Sequence, residues 1–117
     1  DSWTQGPVLL QALALLPAQE MAGLDPNGAE FVHRVTEALK LAFADREVFY
    51  GDPNTARVPM SRLLSQDYAA LRRDEISARA CNDWRPGNIA GCGSRRFNRL
   101  KHWAIAPVSA AIPVISM

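Results

Sequence analysis

Two groups of side chains in this sequence have the types and spacing that acid–base chemistry requires. In the first, His33 follows Glu30 by three residues and precedes Glu37 by four, so a helix would place both carboxylates near the imidazole ring. A carboxylate in that position can orient a histidine that acts as a base. A histidine among helix-face carboxylates is more often an ordinary surface contact, and we favour that interpretation.

The second group is the run Asp45-Arg46-Glu47. These residues could form ion pairs or supply a general acid and base, but adjacent charges near a helix end are usually solvated or packed against a partner loop. We therefore favour a structural role. The sequence also lacks a Gly-x-Ser-x-Gly elbow, a phosphate-binding loop and a His-Glu-x-x-His helix. The residues alone predict no catalytic site.

The two cysteines, Cys81 and Cys92, lie eleven residues apart in a stretch rich in glycine, asparagine and arginine. They could form one disulfide in an oxidising compartment or remain free thiols in a reducing one, and we favour free thiols. A zinc site would need two further ligands, and the histidines His33 and His102 are far away without metal-type spacing. We predict neither a metal nor a cofactor.

The charge of the chain is unevenly distributed. Residues 1–80 carry eight Lys/Arg against eleven Asp/Glu, whereas residues 81–117 carry five against one. The basic residues of the second part are Arg85, Arg95, Arg96, Arg99 and Lys101. Such a segment could touch nucleic acid or acidic lipid, but five charges without interleaved structure favour a solvated loop, and we predict no nucleic-acid partner.

The last sixteen residues, "HWAIAPVSAAIPVISM", are apolar but shorter than the roughly 20 residues that span a bilayer. Pro107 and Pro113 interrupt them, so we predict no transmembrane helix. The chain starts at Asp1 without a positively charged n-region, and no signal peptide is visible. The compartment, cytoplasmic or periplasmic, is left open.

Hydrophobic periodicity predicts an all-α fold of three to four helices with an irregular C-terminal tail. With 117 residues, 48% of them apolar and 21% charged, the chain has the composition of one small globular domain. A first helix over 5–16 contains Pro7 in its first turn and is apolar on nearly all sides. Pro17 ends it, and a linker with turn residues follows.

A long second helix is predicted from about residue 28 to about residue 50. Asn27 and Glu30 have the spacing of a capping box, and Gly51 with Pro53 forms a stop signal. A short helix is expected around Met60–Leu64, followed by a longer one capped by Ser65. The spaced positions of that last helix are Tyr68, Leu71, Arg72 and Ile76.

The predicted core comprises Leu9, Leu13, Phe31, Val35, Leu39, Phe43, Leu64 and Leu71. Residues 1–80 thus form a helical segment, and residues 81–117 an irregular tail, first basic and then apolar.

Three stretches, in this order and spacing, resemble the γ-glutamyltransferase family of N-terminal-nucleophile hydrolases. They are "SWTQGPVLLQALALL", "AEFVHRVTEALKLAFADREVFYGDPN" and "VPMSRLLSQDYAALRR". The resemblance covers about residues 3–80, and "RPG" at 85–87 extends it weakly. It implies that this region belongs to the helical part of a large subunit, shortly before the point where the precursor cleaves itself.

In that family the cleavage exposes a threonine that serves as nucleophile and, through its amine, as base for transfer of the γ-glutamyl group. This sequence has no threonine after Pro86, and none of Thr4, Thr36 or Thr55 stands where the family places its nucleophile. No catalytic, cofactor-binding or metal residue is therefore carried over. The expectation is a truncated or frame-shifted family member that is inactive alone and binds a small-molecule substrate only as part of a complete enzyme.

The first helix also suggests a partner. Because it is apolar on nearly all sides, we expect it to be covered by self-association, giving a homodimer. A non-enzymatic helical module that binds itself or another macromolecule is accordingly the alternative function.

Overall fold

A computed structural model describes residues 5–50 and 57–90 of the chain. Within these ranges the chain forms five helices and no β-strand, which confirms the predicted all-α class. The helices are α1 (Gln5–Ala14), α2 (Ala18–Ala22), α3 (Ala29–Phe49), α4 (Met60–Leu63) and α5 (Gln66–Arg73). The sequence predicts three to four helices and does not predict α2, a short helix in the segment that is expected to be a linker. No helix in the described ranges is both long enough and apolar enough to cross a membrane.

The long helix α3 is the spine of the fold, and α1 packs along it in the antiparallel direction. Val8 and Ala12 of α1 cluster with Ala42, whereas Leu15, just beyond the end of α1, clusters with Ala38. The alanines on both helices are small, which permits a close approach of the two axes. Ala69 of α5 completes the cluster that contains Leu15, Ala38 and Leu41.

The start of α3 differs from the prediction. Gly28, not Asn27, is the N-cap residue, and no side chain caps the helix. The Asn27 amide instead donates to Oδ1 of Asp25 over 3.0 Å, and the Gly28 amide donates to the Asp25 carbonyl over 2.8 Å. Asp25 therefore stabilises the turn before α3, and α3 begins one residue later than the sequence predicts. Glu30 does not form a capping box, because it pairs with Arg34 over 2.8 Å.

Helix α1 ends at Ala14, two residues before the predicted end, whereas the start of α5 agrees with the predicted cap. Ser65 precedes α5, and its hydroxyl accepts a hydrogen bond from the Tyr68 amide at 3.3 Å. The stop expected at Gly51 and Pro53 lies outside the described residues.

The predicted core was wrong. Of its eight members, Leu9, Leu13, Leu39, Phe43 and Leu71 are exposed, and Phe31, Val35 and Leu64 are only half-buried. The buried hydrophobic residues are Val8, Ala12, Leu15, Ala38, Leu41, Ala42, Ala44, Val48, Phe49, Leu63, Tyr68 and Ala69.

The reason for this error is that α3 carries two apolar stripes, and the one that faces the core contains a charge. Ala38, Leu41, Asp45 and Val48 follow one another at steps of three and four residues, and all four are buried. Leu39 and Phe43 lie on the neighbouring stripe, which is more hydrophobic by residue type. A ranking by side-chain hydropathy therefore selects the wrong face.

The side-chain cap of α5 can be tested by substitution of Ser65. Ser65→Ala should lower the free energy of unfolding by about 1 kcal/mol, because the Tyr68 amide loses its side-chain acceptor. Asn27→Ala is the matched control and should have a much smaller effect, because no side chain caps α3. Urea denaturation of both variants measures the difference, and an equal loss from the two substitutions would contradict the observed caps.

Candidate functional site

The polar centre of the fold is the side chain of Asp45, which has no solvent exposure. Its Oδ1 accepts hydrogen bonds from the Gly87 amide at 2.7 Å and from Nη2 of Arg72 at 3.2 Å. Its Oδ2 accepts from the Tyr68 hydroxyl at 2.9 Å and from Nε2 of Gln11. We call these five residues the Asp45 cluster. It connects α1, α3, α5 and the segment 85–87 through one carboxylate.

Two tyrosines are hydrogen-bond donors here: Tyr68 is part of the Asp45 cluster, and Tyr50 extends it. The Tyr50 hydroxyl donates to Oε1 of Gln11 at 2.9 Å, so Gln11 relays between Tyr50 and Asp45. Burial and the charge of Asp45 raise the pKa of Tyr50 to about 12. The same two causes, with the hydrogen bond to Asp45, raise the pKa of Tyr68. Both phenols therefore remain protonated donors around neutral pH.

The carboxyl group of Asp45 is subject to opposing effects. Burial raises its pKa, whereas the charge of Arg72 and the hydrogen bonds from Gly87, Tyr68 and Gln11 lower it. Burial is the larger effect, so the pKa of Asp45 is raised from its ordinary value.

Arg72 is the cation of the cluster and is itself buried. Beyond Asp45, its Nη2 donates to the carbonyls of Leu41, at 3.4 Å, and Arg85, and its Nη1 pairs with Glu75. The guanidinium thus joins the middle of α3 to the segment that follows α5. A planar, always charged guanidinium, whose two terminal nitrogens donate to different acceptors, suits this position, which a lysine could not fill in the same way.

A second buried carboxylate, Glu37, lies eight residues before Asp45 on α3 and is almost without exposure. Its Oε1 accepts from Nζ of Lys40 at 2.6 Å and from the Cys81 amide at 3.4 Å. Its Oε2 accepts from Nη2 of Arg85 at 2.8 Å. Burial alone would raise the pKa of Glu37, but these hydrogen bonds and the charges of Lys40 and Arg85 outweigh it and lower the pKa.

Together the two carboxylates bind the segment 81–87 along one side of α3. Glu37 accepts hydrogen bonds from Cys81, at the beginning of the segment, and from Arg85. Asp45 accepts a hydrogen bond from Gly87, at its end. Nη1 of Arg85 also donates to the Glu75 carbonyl at 2.6 Å. The segment is therefore bonded to both α3 and the end of α5, although it has no regular secondary structure.

Gly87 occupies a position where a side chain does not fit. A Cβ atom built there would lie 1.8 Å from the hydroxyl oxygen of Tyr68 and 2.8 Å from its Cζ. The absence of a side chain is what allows the Gly87 backbone to reach the Asp45 carboxylate.

The structure does not unite the acid–base candidates considered from the sequence. Nε2 of His33 lies 2.6 Å from the Ser77 carbonyl, while Glu30 and Glu37 bind other cations. The run Asp45-Arg46-Glu47 is divided: Asp45 is in the core, whereas Arg46 and Glu47 form a surface pair at 3.1 Å. Asp45 is thus packed against a loop, the structural alternative for this run.

A groove of about 290 Å³ lies at the other end of α3, beside His33. Its walls come from residues 15–17, from α2, from the start of α3 and from residues 73–78. Arg34 on its rim pairs with Glu20 and Glu30, and Nη2 of Arg73 donates to the Ala14 carbonyl at 2.8 Å. The charged groups of this groove are bonded to the protein itself.

Cys81 carries a free, half-buried thiol, and Cys92 lies outside the described residues. Across residues 5–50 and 57–90 no three His, Cys, Asp or Glu side chains are grouped as a metal ion would require.

Sequence reasoning missed Gln11, Gly87 and the role of Arg72. A partial signal existed, because Tyr68 and Arg72 were assigned to spaced positions of α5, and both are buried as that spacing requires. The glycine of "RPG" was noted, but nothing local indicated its contact with Asp45, which is 42 residues away.

Comparison with known proteins gives a consistent result. The sequence model described as Gamma-glutamyltranspeptidase matches residues 1–102. The Acylase ACY 1 proenzyme of a Pseudomonas species is 35% identical over 88 residues, which are 75% of this chain and 16% of that protein. The Glutathione hydrolase proenzyme of Escherichia coli is 30% identical over 100 residues, which are 83% of this chain and 17% of that protein.

Among solved structures, LmbA2991HD matches with a TM-score of 0.69 and 45% sequence identity. The match covers 80% of this chain and 15% of that chain. The chain therefore spans about one sixth of the length of the relatives that it matches.

The close approach at Gly87 leads to a prediction. Gly87→Ala should lower the free energy of unfolding by about 2–3 kcal/mol, because the added methyl overlaps Tyr68 and separates an amide from a buried carboxylate. Gly23→Ala is the control, since no atom lies within 4 Å of its Cβ position. Chemical denaturation measures the free energy of unfolding of both variants, and equal losses for Gly87→Ala and Gly23→Ala would contradict the geometry.

The lowered pKa of Glu37 predicts an acid-dependent loss of stability. In the unfolded chain Glu37 takes up a proton at its ordinary pKa of 4.5, whereas in the folded chain it does so only at a lower pH. The contribution of the Glu37 carboxylate to folding stability is therefore complete above pH 4.5. It is lost as pH falls through the pKa that Glu37 has in the folded chain. In Glu37→Gln this contribution disappears, so its stability should fall less steeply below pH 4.5 than that of the wild type. The raised pKa of Asp45 makes stability increase as pH falls, but this contribution is the same in the wild type and in Glu37→Gln.

Thermal unfolding followed between neutral and acid pH measures the two slopes. Glu47→Gln is the control, because it removes a carboxylate from an exposed pair on the same helix. Equal slopes for Glu37→Gln and the wild type would refute the assignment.

Proposed function

The chain belongs to the gamma-glutamyltranspeptidase family, and on that premise we propose that it is a helical scaffold segment of an enzyme that transfers γ-glutamyl groups. The acceptor is an amine-bearing molecule or water, and glutathione-type peptides are the donors. The name of the Escherichia coli relative, a glutathione hydrolase, supports this substrate class. Both curated relatives are called proenzymes, which agrees with a self-cleaving precursor that exposes a threonine nucleophile.

The observation that carries the proposal is the bonding of Gly87 to Asp45. The family resemblance implies that this part of the chain lies shortly before the self-cleavage point. In this proposal, a firmly held segment 85–87 sets the direction in which the following chain leaves the helices. Acyl transfer depends on a nucleophile held close to its productive position, and buried hydrogen bonds are a means of holding it. In this proposal Glu37, Asp45 and Arg72 are positioning residues that do not touch the substrate.

We further propose that the 117-residue chain is inactive alone. Its buried carboxylates are occupied by internal hydrogen bonds and ion pairs, and His33 is bonded to a backbone carbonyl. None of these groups is placed to activate a hydroxyl nucleophile. Activity would then require the remaining part of a family enzyme.

A chromogenic assay tests both statements. The purified chain should not release p-nitroaniline from γ-glutamyl-p-nitroanilide, and turnover by the chain alone would refute its inactivity. Addition of a family small-subunit fragment should restore turnover if this chain is a complementing part of the enzyme.

Positioning by Asp45 can be tested in the same reconstituted assay. Gly87→Ala should reduce the restored kcat by at least about tenfold while changing KM little, because it disturbs placement and not substrate contacts. Glu47→Gln should behave as the wild type. A change confined to KM would contradict the positioning role.

A different class of function, a self-associating helical module, is the alternative proposal. The exposed leucines of α1, namely Leu9, Leu10 and Leu13, favour it. Sedimentation at micromolar concentration distinguishes the alternatives, since a chain that functions as a dimeric module must be dimeric there.

A further inference from the structure

Gln11 is a buried polar residue in the middle of a helix whose other buried residues are apolar. Helix α1 buries Val8, Gln11 and Ala12, and only 3% of Gln11 is exposed. Glutamine is mostly exposed in folded proteins, and a buried glutamine needs partners for both ends of its amide. Gln11 has them at Tyr50 and Asp45: Oε1 accepts from the Tyr50 hydroxyl at 2.9 Å, and Nε2 donates to Oδ2 of Asp45.

These two hydrogen bonds have a fixed direction. The ionised carboxylate of Asp45 only accepts, so the amino group of Gln11 must face it and the carbonyl oxygen must face Tyr50. Burial and the charge of Asp45 raise the pKa of Tyr50 to about 12, so its hydroxyl stays a donor around neutral pH. A reversed Gln11 amide would bring two acceptors together at Asp45. The hydrogen bonds therefore run in one order, from Tyr50 through Gln11 to Asp45.

The carboxylate at the end of this series is the one that binds Gly87. The Gly87 amide donates to Oδ1 of Asp45 at 2.7 Å, whereas Gln11 donates to the other oxygen. The terminal torsion of an aspartate side chain is broad, so the direction of Oδ1 depends on what binds Oδ2. Among the described residues, Oδ2 accepts from Gln11 and, at 2.9 Å, from the Tyr68 hydroxyl. Loss of the Gln11 hydrogen bond would therefore restrain the carboxylate less.

Tyr50 connects this series to the packing of the helices. It is the C-cap residue of α3. It packs against the cluster of Val8, Ala12 and Ala42, and also against a second cluster that contains Leu63 of α4. The position of the Tyr50 hydroxyl therefore depends on how α1, α3 and α4 meet.

We propose that Gln11 and Tyr50 are positioning residues for Gly87, which act through the Asp45 carboxylate. Tyr50 orients the Gln11 amide, and the amide orients the carboxylate. The carboxylate in turn sets the place of the Gly87 backbone. Hydrogen bonds in series polarise one another, which strengthens each of them. This inference rests on the proposed scaffold function and extends its set of positioning residues to α1 and to the end of α3.

Amide hydrogen exchange in the full 117-residue chain tests the proposal. Tyr50→Phe removes one hydroxyl and keeps the ring. The measured quantity is the exchange rate of the Gly87 amide divided by that of the Ala69 amide, which donates to the Ser65 carbonyl at 3.0 Å. We expect Tyr50→Phe to raise this ratio at least about threefold, because the Gly87 hydrogen bond is loosened selectively. A general loss of stability would speed both amides and leave the ratio unchanged.

The order of the series gives a second test. Gln11→Leu keeps helix propensity and size nearly constant but removes both hydrogen bonds, so it should raise the ratio at least as much as Tyr50→Phe. In the Gln11→Leu background, Tyr50→Phe should have no further effect on the ratio, because Tyr50 acts through Gln11. Gln66→Leu is the matched control, since Gln66 is an exposed glutamine at the start of α5. In that background Tyr50→Phe should keep its full effect.

Two results would overturn the proposal. One is a ratio that Tyr50→Phe does not change, and the other is an increase that Tyr50→Phe still produces when residue 11 is leucine. If Gln11→Leu does not fold, the first result decides alone, because Tyr50→Phe removes a single oxygen atom. These measurements use neither a substrate nor a small-subunit fragment. A wild-type chain whose turnover such a fragment does not restore would instead contradict the proposed function, so the two failures are distinguishable.

Discussion

The negative charge of Asp45 in the middle of a small helical core is the constraint on which the rest of the structure depends. A carboxylate removed from water is strongly unfavourable unless donors replace its hydration. Here the donors come from α1, from α5 and from the segment 85–87, each of which supplies a different group. Displacement of any one of these elements would leave a buried charge incompletely bonded. The carboxylate therefore favours the one arrangement of the helices in which all its donors are in place.

Glu37 applies the same principle at a second point of α3, with a different electrostatic result. Its donors include two cations, Lys40 and Arg85, and the pKa of its carboxyl group is lowered. Asp45 has one cation and is more completely enclosed, and the pKa of its carboxyl group is raised. The two groups together attach an irregular segment to a helix without any contribution from regular backbone pairing. This arrangement separates α3 into a side whose carboxylates have their partners within the chain and a side on which Leu39 and Phe43 are exposed.

Sequence reasoning recovered the helices far better than it recovered their packing. The hydrophobic period, the proline positions and the Ser65 cap are patterns of residues that lie near one another in the chain. The helices predicted from these patterns are present in the structure. The core prediction failed because it selected large apolar residues of α3 such as Leu39 and Phe43, whereas α3 turns alanines and two carboxylates inward. The Asp45 cluster depends on contacts between residues 11, 45, 68, 72 and 87, which no local pattern contains. The family resemblance gave the location of the segment but could not indicate this cluster.

The bond between Gly87 and Asp45 also has a consequence for how the chain folds. It joins residues 42 positions apart, and the pair of Arg85 with Glu37 joins residues 48 positions apart. Such contacts form only after the intervening chain has been ordered, and their loop-closure entropy opposes early formation. We therefore expect the helices to assemble while both carboxylates are still hydrated, and the segment 81–87 to bind to α3 afterwards. Among the described residues the nonlocal step is the burial of charge, which the helical content alone does not reveal.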